Sequence, residues 1–465
     1  MTHDFHFCVI GAGSAGFNAA IAARELGKKV AIAEGGGQLA GLCILRGCMP
    51  AKTILHSAEV AHLVQEAPQF GVDTKGVDID AAAIVRRKRD IVREFAEERM
   101  EGIESFPLFR GQPKFTGPNE LAVGEDTIRA PHFLVSTGSV MDPPEIPGLR
   151  ETGYVTSDQA LEVTRFPRSL IVIGGGPVGC EFAQYFARLG VDVTLLQDAP
   201  ELLVKEDSDV GVAVRAGLEA DGVRVVTGVV FERCLHTDGA KQVYVRRGDR
   251  TEHYGAQALF LAMTRRPNTE GIDLERAGIV ADKGGIRVND YLQTSNPAIY
   301  AAGDVTGRRL LVHLAEYGGR LAVKNAFSTR PVPMDFDLHE ARGVYTRPEV
   351  AIAGLSEKQC RERALVYEAA TYPFKDHGRA ITTDLQEDFV KLLAAQDGKI
   401  LGITIVGGEA AELVHEALTL LYFKAKVFDI PNIPHLHPTM AEIITYPAQE
   451  LTQKLSLQEK LTTHV

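Results

Sequence analysis

Two cysteines five positions apart, in Gly41-Leu42-Cys43-Ile44-Leu45-Arg46-Gly47-Cys48-Met49-Pro50-Ala51-Lys52, offer the clearest candidate chemistry in the chain. The segment predicts a loop entering a helix. Neighbours on one helix face are three or four apart, so a Cys43–Cys48 disulfide requires a distorted helix start, with Cys43 just before the first turn and Cys48 inside it. The helix N-terminus and the cation Arg46 both favour thiolate, which would make one sulfur more nucleophilic than a free cysteine. Taken alone, the pair reads equally as a redox switch or as two small apolar neighbours. A second candidate is His435-Leu436-His437-Pro438-Thr439-Met440-Ala441-Glu442, where imidazole and carboxylate could move a proton near neutral pH. By itself it reads as a surface turn.

These residues need elements to hold them. Phe7-Cys8-Val9-Ile10 predicts a strand that runs straight into Gly11-Ala12-Gly13-Ser14-Ala15-Gly16, then a helix over 17–26 and a strand over 29–33 ending in Glu34. Strand, glycine turn, helix and strand-end acid together predict dinucleotide binding: the glycines admit a pyrophosphate at a helix N-terminus, and the acid reaches a ribose hydroxyl. The unit occurs twice. Gly11, Gly13, Gly16, Gly27 and Val30 recur as Gly174, Gly176, Gly179, Gly190 and Val193 at a constant offset of 163. The second copy departs at its strand end, where Gln197 stands in the place of Glu34 and Asp198 follows. With no Arg or Lys from Leu195 to Leu203, this tilts the second site toward NADH rather than NADPH.

A chain of 465 residues is too long for one core and implies about three domains. Its formal charge of −11 disfavours nucleic acid or an anionic membrane as partner. No apolar run approaches a membrane span and the start lacks a signal-like pattern, so a cytoplasmic protein is expected. The remaining cysteines, Cys8, Cys180, Cys234 and Cys360, lie in or beside apolar runs and read as buried small residues. No Cys and His grouping has zinc-ligand spacing, and no metal is expected. The charged stretch 81–100 reads as a helix with a solvated face. Beyond about Asp335, strands over 350–353, 389–395 and 400–406 and a helix over 409–426 predict a separate α+β domain.

In type and order these motifs resemble the pyridine nucleotide-disulfide oxidoreductases, most closely the dihydrolipoamide dehydrogenases, over essentially the full length. The resemblance implies an α/β protein with two Rossmann-like domains and a C-terminal α+β dimerisation domain: 1–150 with 270–334 for FAD, 151–269 for NAD(P), and 335–465 for the interface. It implies FAD on Gly11, Gly13, Ser14, Gly16 and Glu34, and an exchangeable NAD, with NADP not excluded, on Gly174, Gly176, Gly179 and Gln197. Thr137-Gly138-Ser139 would touch the flavin nucleotide. Asp304, in Tyr300-Ala301-Ala302-Gly303-Asp304, would bind the ribityl chain. Lys52 and Glu181 would pair beneath the flavin. Arg265-Arg266-Pro267-Asn268-Thr269 resembles the return to the flavin domain, with Thr264 where a glycine is usual.

The resemblance also supplies roles. Cys48 lies nearest the flavin as the charge-transfer thiolate, Cys43 exchanges with substrate, and His437 with Glu442 shuttles the proton from the other subunit of a homodimer. His435 is then structural or solvent-facing. Ile44, Leu45 and Met49 suit the apolar channel of a dithiol such as lipoamide, free or on a lipoyl domain, although Arg46 departs from the usual small or apolar residue. A glutathione- or mercuric-reductase-like substrate is the alternative, the latter disfavoured because no cysteine follows Cys360. A non-catalytic flavoprotein redox sensor is a further alternative, against which His437 and Glu442 argue.

Overall fold

The computed structural model describes the chain except for residues 238, 263–264, 338–339, 385–388 and 463–465. Phe7–Ile10 is apolar at every position and wholly buried, as befits a parallel strand covered on both faces. It is the middle strand of a five-stranded parallel sheet in the order Ile299–Ala301, His132–Val135, Phe7–Ile10, Val30–Glu34, Leu108–Arg110. Phe7, Val9 and Leu134 face the helices Ser14–Glu25 and Val312–Phe327. Cys8, Ile10 and Phe133 face a second sheet through Phe115, Leu121 and Ile128. The two helices pack so closely that a Cβ on Gly319 would overlap the Ala15 carbonyl.

The second glycine unit builds the same pattern again. Arg224–Thr227, Asp192–Gln197, Ser169–Ile173 and Ala258–Leu261 form a parallel sheet in that order. One face meets the helix Pro177–Arg188 through Phe182, Tyr185 and Phe186, and the other meets an antiparallel ribbon spanning Val230–Thr237, Ala240–Arg247 and Arg250–Ala256. The ribbon was not expected from the sequence. Ala51, Ile54 and Ala58 of the helix Cys48–Glu66 join the same core as Phe182, which ties the cysteine segment to the second unit.

The C-terminal part is an antiparallel sheet in the order Ala341–Val344, Val350–Gly354, Ile400–Val406, Phe389–Ala395, Tyr367–Pro373. The helices Ala410–Tyr422 and Thr445–Thr462 pack on it. The first is shorter than the expected 409–426, because Lys424 adopts a left-handed backbone (φ 55°) and turns the chain. The expected strands appear at 350–354, 389–395 and 400–406. The charged stretch forms one helix, Ala81–Glu104, capped by Asp80 accepting from the Ala83 N–H at 2.9 Å. Its face is not wholly solvated: Lys88 is buried and paired with Glu162. Cys8, Cys180, Cys234 and Cys360 are buried as expected. Among the described residues, no helix is long and apolar enough to cross a membrane.

Candidate active site

Cys43 and Cys48 sit on two helices rather than at one distorted start. Cys43 belongs to the short helix Gly41–Arg46, Gly47 breaks the chain, and Cys48 opens the long helix Cys48–Glu66. Gly47 is favoured by proximity: an added Cβ would crowd the Cys43 Cα and the Leu42 carbonyl oxygen, at 3.0 Å from each. This brings the two sulfurs together as free thiols, with Cys48 accepting a hydrogen bond from Cys43. That bond, with the Lys52 charge, outweighs burial and lowers the Cys48 pKa to about 7. Cys43 is pushed strongly upward, first by its hydrogen bond to Cys48 and then by burial. The cation expected beside the thiolate is therefore Lys52 and not Arg46, whose guanidinium lies 3.5 Å from Asp158. Ile44 is buried against Ala40 and Ala96, and Leu45 and Met49 pack partly buried against the same cluster.

Lys52 follows Cys48 by one turn, and its Nζ lies 2.8 Å from both carboxylate oxygens of Glu181. Glu181 is buried in the helix Pro177–Arg188 and also accepts from the Tyr345 N–H at 3.0 Å. The Lys52 ammonium lies 4.2 Å from the centre of the Tyr345 ring. Tyr345 was not singled out from the sequence. It follows the strand Ala341–Val344, whose packing against this helix is a tertiary relationship.

The two glycine turns are matched in detail. Gly11 and Gly174 have positive φ (96° and 109°), and a Cβ on Gly16 or Gly179 would overlap the carbonyl oxygen of Gly11 or Gly174. An added Cβ at Gly13 or Gly176 would meet nothing within 4 Å, so the chain itself does not require glycine there. Both helices lack a side-chain cap, leaving first-turn N–H groups, including that of Ser14, free to bind a pyrophosphate. Glu34 accepts from the Ala12 N–H at 2.6 Å and the Gly36 N–H at 2.7 Å. Gln197 makes the equivalent bond, accepting from the Gly175 N–H at 2.5 Å, and donates to Asp198 at 2.9 Å.

Thr137, Gly138 and Ser139 clamp the return crossing. The Thr137 hydroxyl donates to the Asn268 carbonyl at 2.6 Å, Gly138 accepts from the Asn268 N–H at 2.9 Å, and Ser139–Met141 pairs antiparallel with Arg265–Pro267. The Ser139 hydroxyl donates to Asp304 at 2.7 Å. Arg265, whose role was missed from the sequence, donates to the Ser139 Oγ at 2.9 Å and to its carbonyl at 2.7 Å. Burial raises the Asp304 pKa, opposed by the Ser139 hydrogen bond and the Arg265 charge. Thr264 lies outside the described residues.

His437 Nδ1 lies 3.1 Å from both Glu442 oxygens, and Glu442 also accepts from the Thr439 N–H at 3.2 Å. Burial acts upward on Glu442, but the hydrogen bonds from His437 and Thr439 outweigh it and hold the carboxyl low. The His437 side chain is 77% exposed. His435 is structural: it bridges the Ile433 carbonyl and Glu416 at 2.9 and 2.8 Å. Among the described residues, no hydrogen bond or ion pair joins His437 or Glu442 to the cysteines. One chain therefore carries a nucleophile pair without a base in contact and a base without a nucleophile.

Residues 5–319 match the family described as pyridine nucleotide-disulphide oxidoreductase, and residues 341–448 match its dimerisation domain. The chain is 35% identical over 458 residues to a dihydrolipoyl dehydrogenase of Thermus scotoductus, covering 96% of this chain and 97% of that protein. It is 34% identical over 446 residues to a mercuric reductase of Bacillus cereus, covering 95% and 70% respectively. In fold it resembles an HOCl-induced flavoprotein disulfide reductase of Escherichia coli, with TM-score 0.84, 24% identity and coverage of 96% and 99%.

Proposed function

The chain belongs to the pyridine nucleotide-disulphide oxidoreductases, whose members of this type bind FAD and NAD(P), and from that premise we propose that it is a homodimeric, dihydrolipoamide-type thiol-disulfide oxidoreductase using NADH. Residues 1–150 and 270–334 form the FAD-binding part, 151–269 the NAD-binding part and 335–465 the interface. Bound flavin supplies the relay of an electron pair between nicotinamide and the Cys43–Cys48 disulfide. Gly11, Gly13, Ser14, Gly16, Glu34, Thr137, Gly138, Ser139 and Asp304 would hold it. Gly174, Gly176, Gly179, Gln197 and Asp198 would hold the nicotinamide cofactor. The ion pair of Lys52 with Glu181 fixes a positive charge beside Cys48.

The single observation that carries the reading is geometric: the Cys43 thiol donates to Cys48, and the Lys52 ammonium, held by Glu181, stands one turn along the same helix. Exchange at Cys43 therefore needs a base, and His437 of a second subunit, oriented by Glu442, fits that need. With that proton removed, the Cys43 thiolate attacks a substrate disulfide, one S–S bond breaks as another forms, and His437 returns the proton to the departing sulfur. The Cys48 thiolate then attacks Cys43 in the mixed disulfide, releasing the second substrate sulfur and restoring the Cys43–Cys48 bond. Oxidation of a dithiol runs the same steps backward. An orphan redox sensor has no use for this base.

The 35% identity to a dihydrolipoyl dehydrogenase over 458 residues supports a lipoamide-type dithiol as the substrate. The test is anaerobic titration of the holoenzyme with NADH and with NADPH, followed by lipoamide, glutathione disulfide or mercuric ion. A long-wavelength band formed with NADH and discharged by lipoamide supports the reading. A band discharged only by another oxidant overturns the substrate.

A further inference from the structure

His377 lies directly behind the proposed base, in a turn between Phe374–Asp376 and Gly378–Thr382. Its side chain is 1% exposed, and its Nε2 is 3.5 Å from Glu442 Oε1. Among the described residues, neither ring nitrogen finds a closer hydrogen-bond partner, an unusual state for so buried a polar ring. The titratable groups facing it are Glu442, His437 beyond it, and Tyr446, whose ring meets it edge-on at 5.9 Å and stacks on Tyr372. Burial disfavours its charged form, so it faces Glu442 as a neutral imidazole. No apolar ring of that size would need a nitrogen aimed at a carboxylate.

We propose that His377 is a positioning residue for the proton shuttle: with the proton on Nε2 it turns an N–H toward Glu442, keeping that carboxylate ionised and aimed at His437. This rests on the reading of His437 and Glu442 as the acid–base pair. Sharing the Glu442 charge with His377 weakens its pull on the His437 proton. Removing the N–H should therefore raise the His437 pKa.

The experiment is an NMR titration of His437 in the reduced holoenzyme, in the native protein and in His377→Phe and His377→Asn, with thermal melts alongside. In His377→Phe the His437 pKa should rise by about half to one unit, and the pH profile of disulfide turnover should move with it. His377→Asn, which keeps an N–H, should return both toward native values while NADH-driven flavin reduction stays unchanged throughout. An unmoved His437 titration in His377→Phe, or an equal shift in His377→Asn and His377→Phe, would overturn the proposal and leave His377 as packing. The titration needs no turnover, so it is separable from the parent reading, which fails instead if His437→Ala retains full disulfide turnover.

Discussion

Lys52 and Glu181 come from different nucleotide units, 129 positions apart, yet the Lys52 Nζ stands 2.8 Å from each oxygen of a carboxylate that is 5% exposed. The pair joins the cysteine helix to the helix after the second glycine turn. It also sets the field at Cys48: Lys52 lowers the thiol pKa and Glu181 raises it. Replacing Lys52 by Met should raise the Cys48 pKa, and Glu181→Gln should lower it. The pH dependence of Cys48 alkylation in the reduced protein reads both signs. Lys52→Met also leaves the buried Glu181, among the described residues, with the Tyr345 N–H alone, and because Lys52 is itself one-third exposed the loss of stability should be about 2 to 3 kcal/mol in a denaturation curve.

Cys43→Ala removes the thiol that donates to Cys48, the largest cause of its low pKa of about 7. Thiolate absorbance should then titrate nearer the ordinary cysteine value of about 8.5. In the native protein the thiolate is present above pH about 7 and lost as pH falls through it, so exchange should fade on the acid side.

His437→Ala should reduce disulfide turnover by about 10² to 10⁴, the usual contribution of a positioned base, while reduction of the flavin by NADH persists. His435→Ala removes a structural bridge to Glu416 and should lower the melting temperature with far less effect on turnover.

Gln197 is held on both sides, so the exposed Asp198 carboxylate is the acid available to an adenosine ribose. Asp198→Arg should raise KM for NADH and lower KM for NADPH, each by about tenfold, in initial-rate measurements with both cofactors.

The two glycine units were legible because each is local: strand, turn and helix are consecutive, and the 163-residue offset carries even the Ala12–Glu34 and Gly175–Gln197 hydrogen bonds. The pairing of Cys43 with Cys48 was legible, but its geometry was not, because Gly47 resolves it by splitting one helix into two. Spacing alone could not tell that Ile44 is buried while Leu45 and Met49 stay partly exposed. Tyr345 reaches Glu181 across 164 positions, and His377 reaches Glu442 across sixty-five, so no local pattern marks either. The ribbon of Val230–Thr237, Ala240–Arg247 and Arg250–Ala256 escaped notice because few of its positions are buried and they alternate weakly. The helix Thr445–Thr462 begins with Pro447 in its first turn and is largely polar, so no apolar run marks it in the sequence.

The central claim is that the cysteines of one subunit work with His437 of the other. Mixing Cys48→Ser protein with His437→Ala protein, each inactive alone, and allowing subunits to exchange tests it directly. A site shared between subunits predicts recovery of about a quarter of native disulfide turnover, from the one intact site of each mixed dimer. No recovery, with subunit exchange demonstrated, would contradict it and place the whole reaction within a single chain.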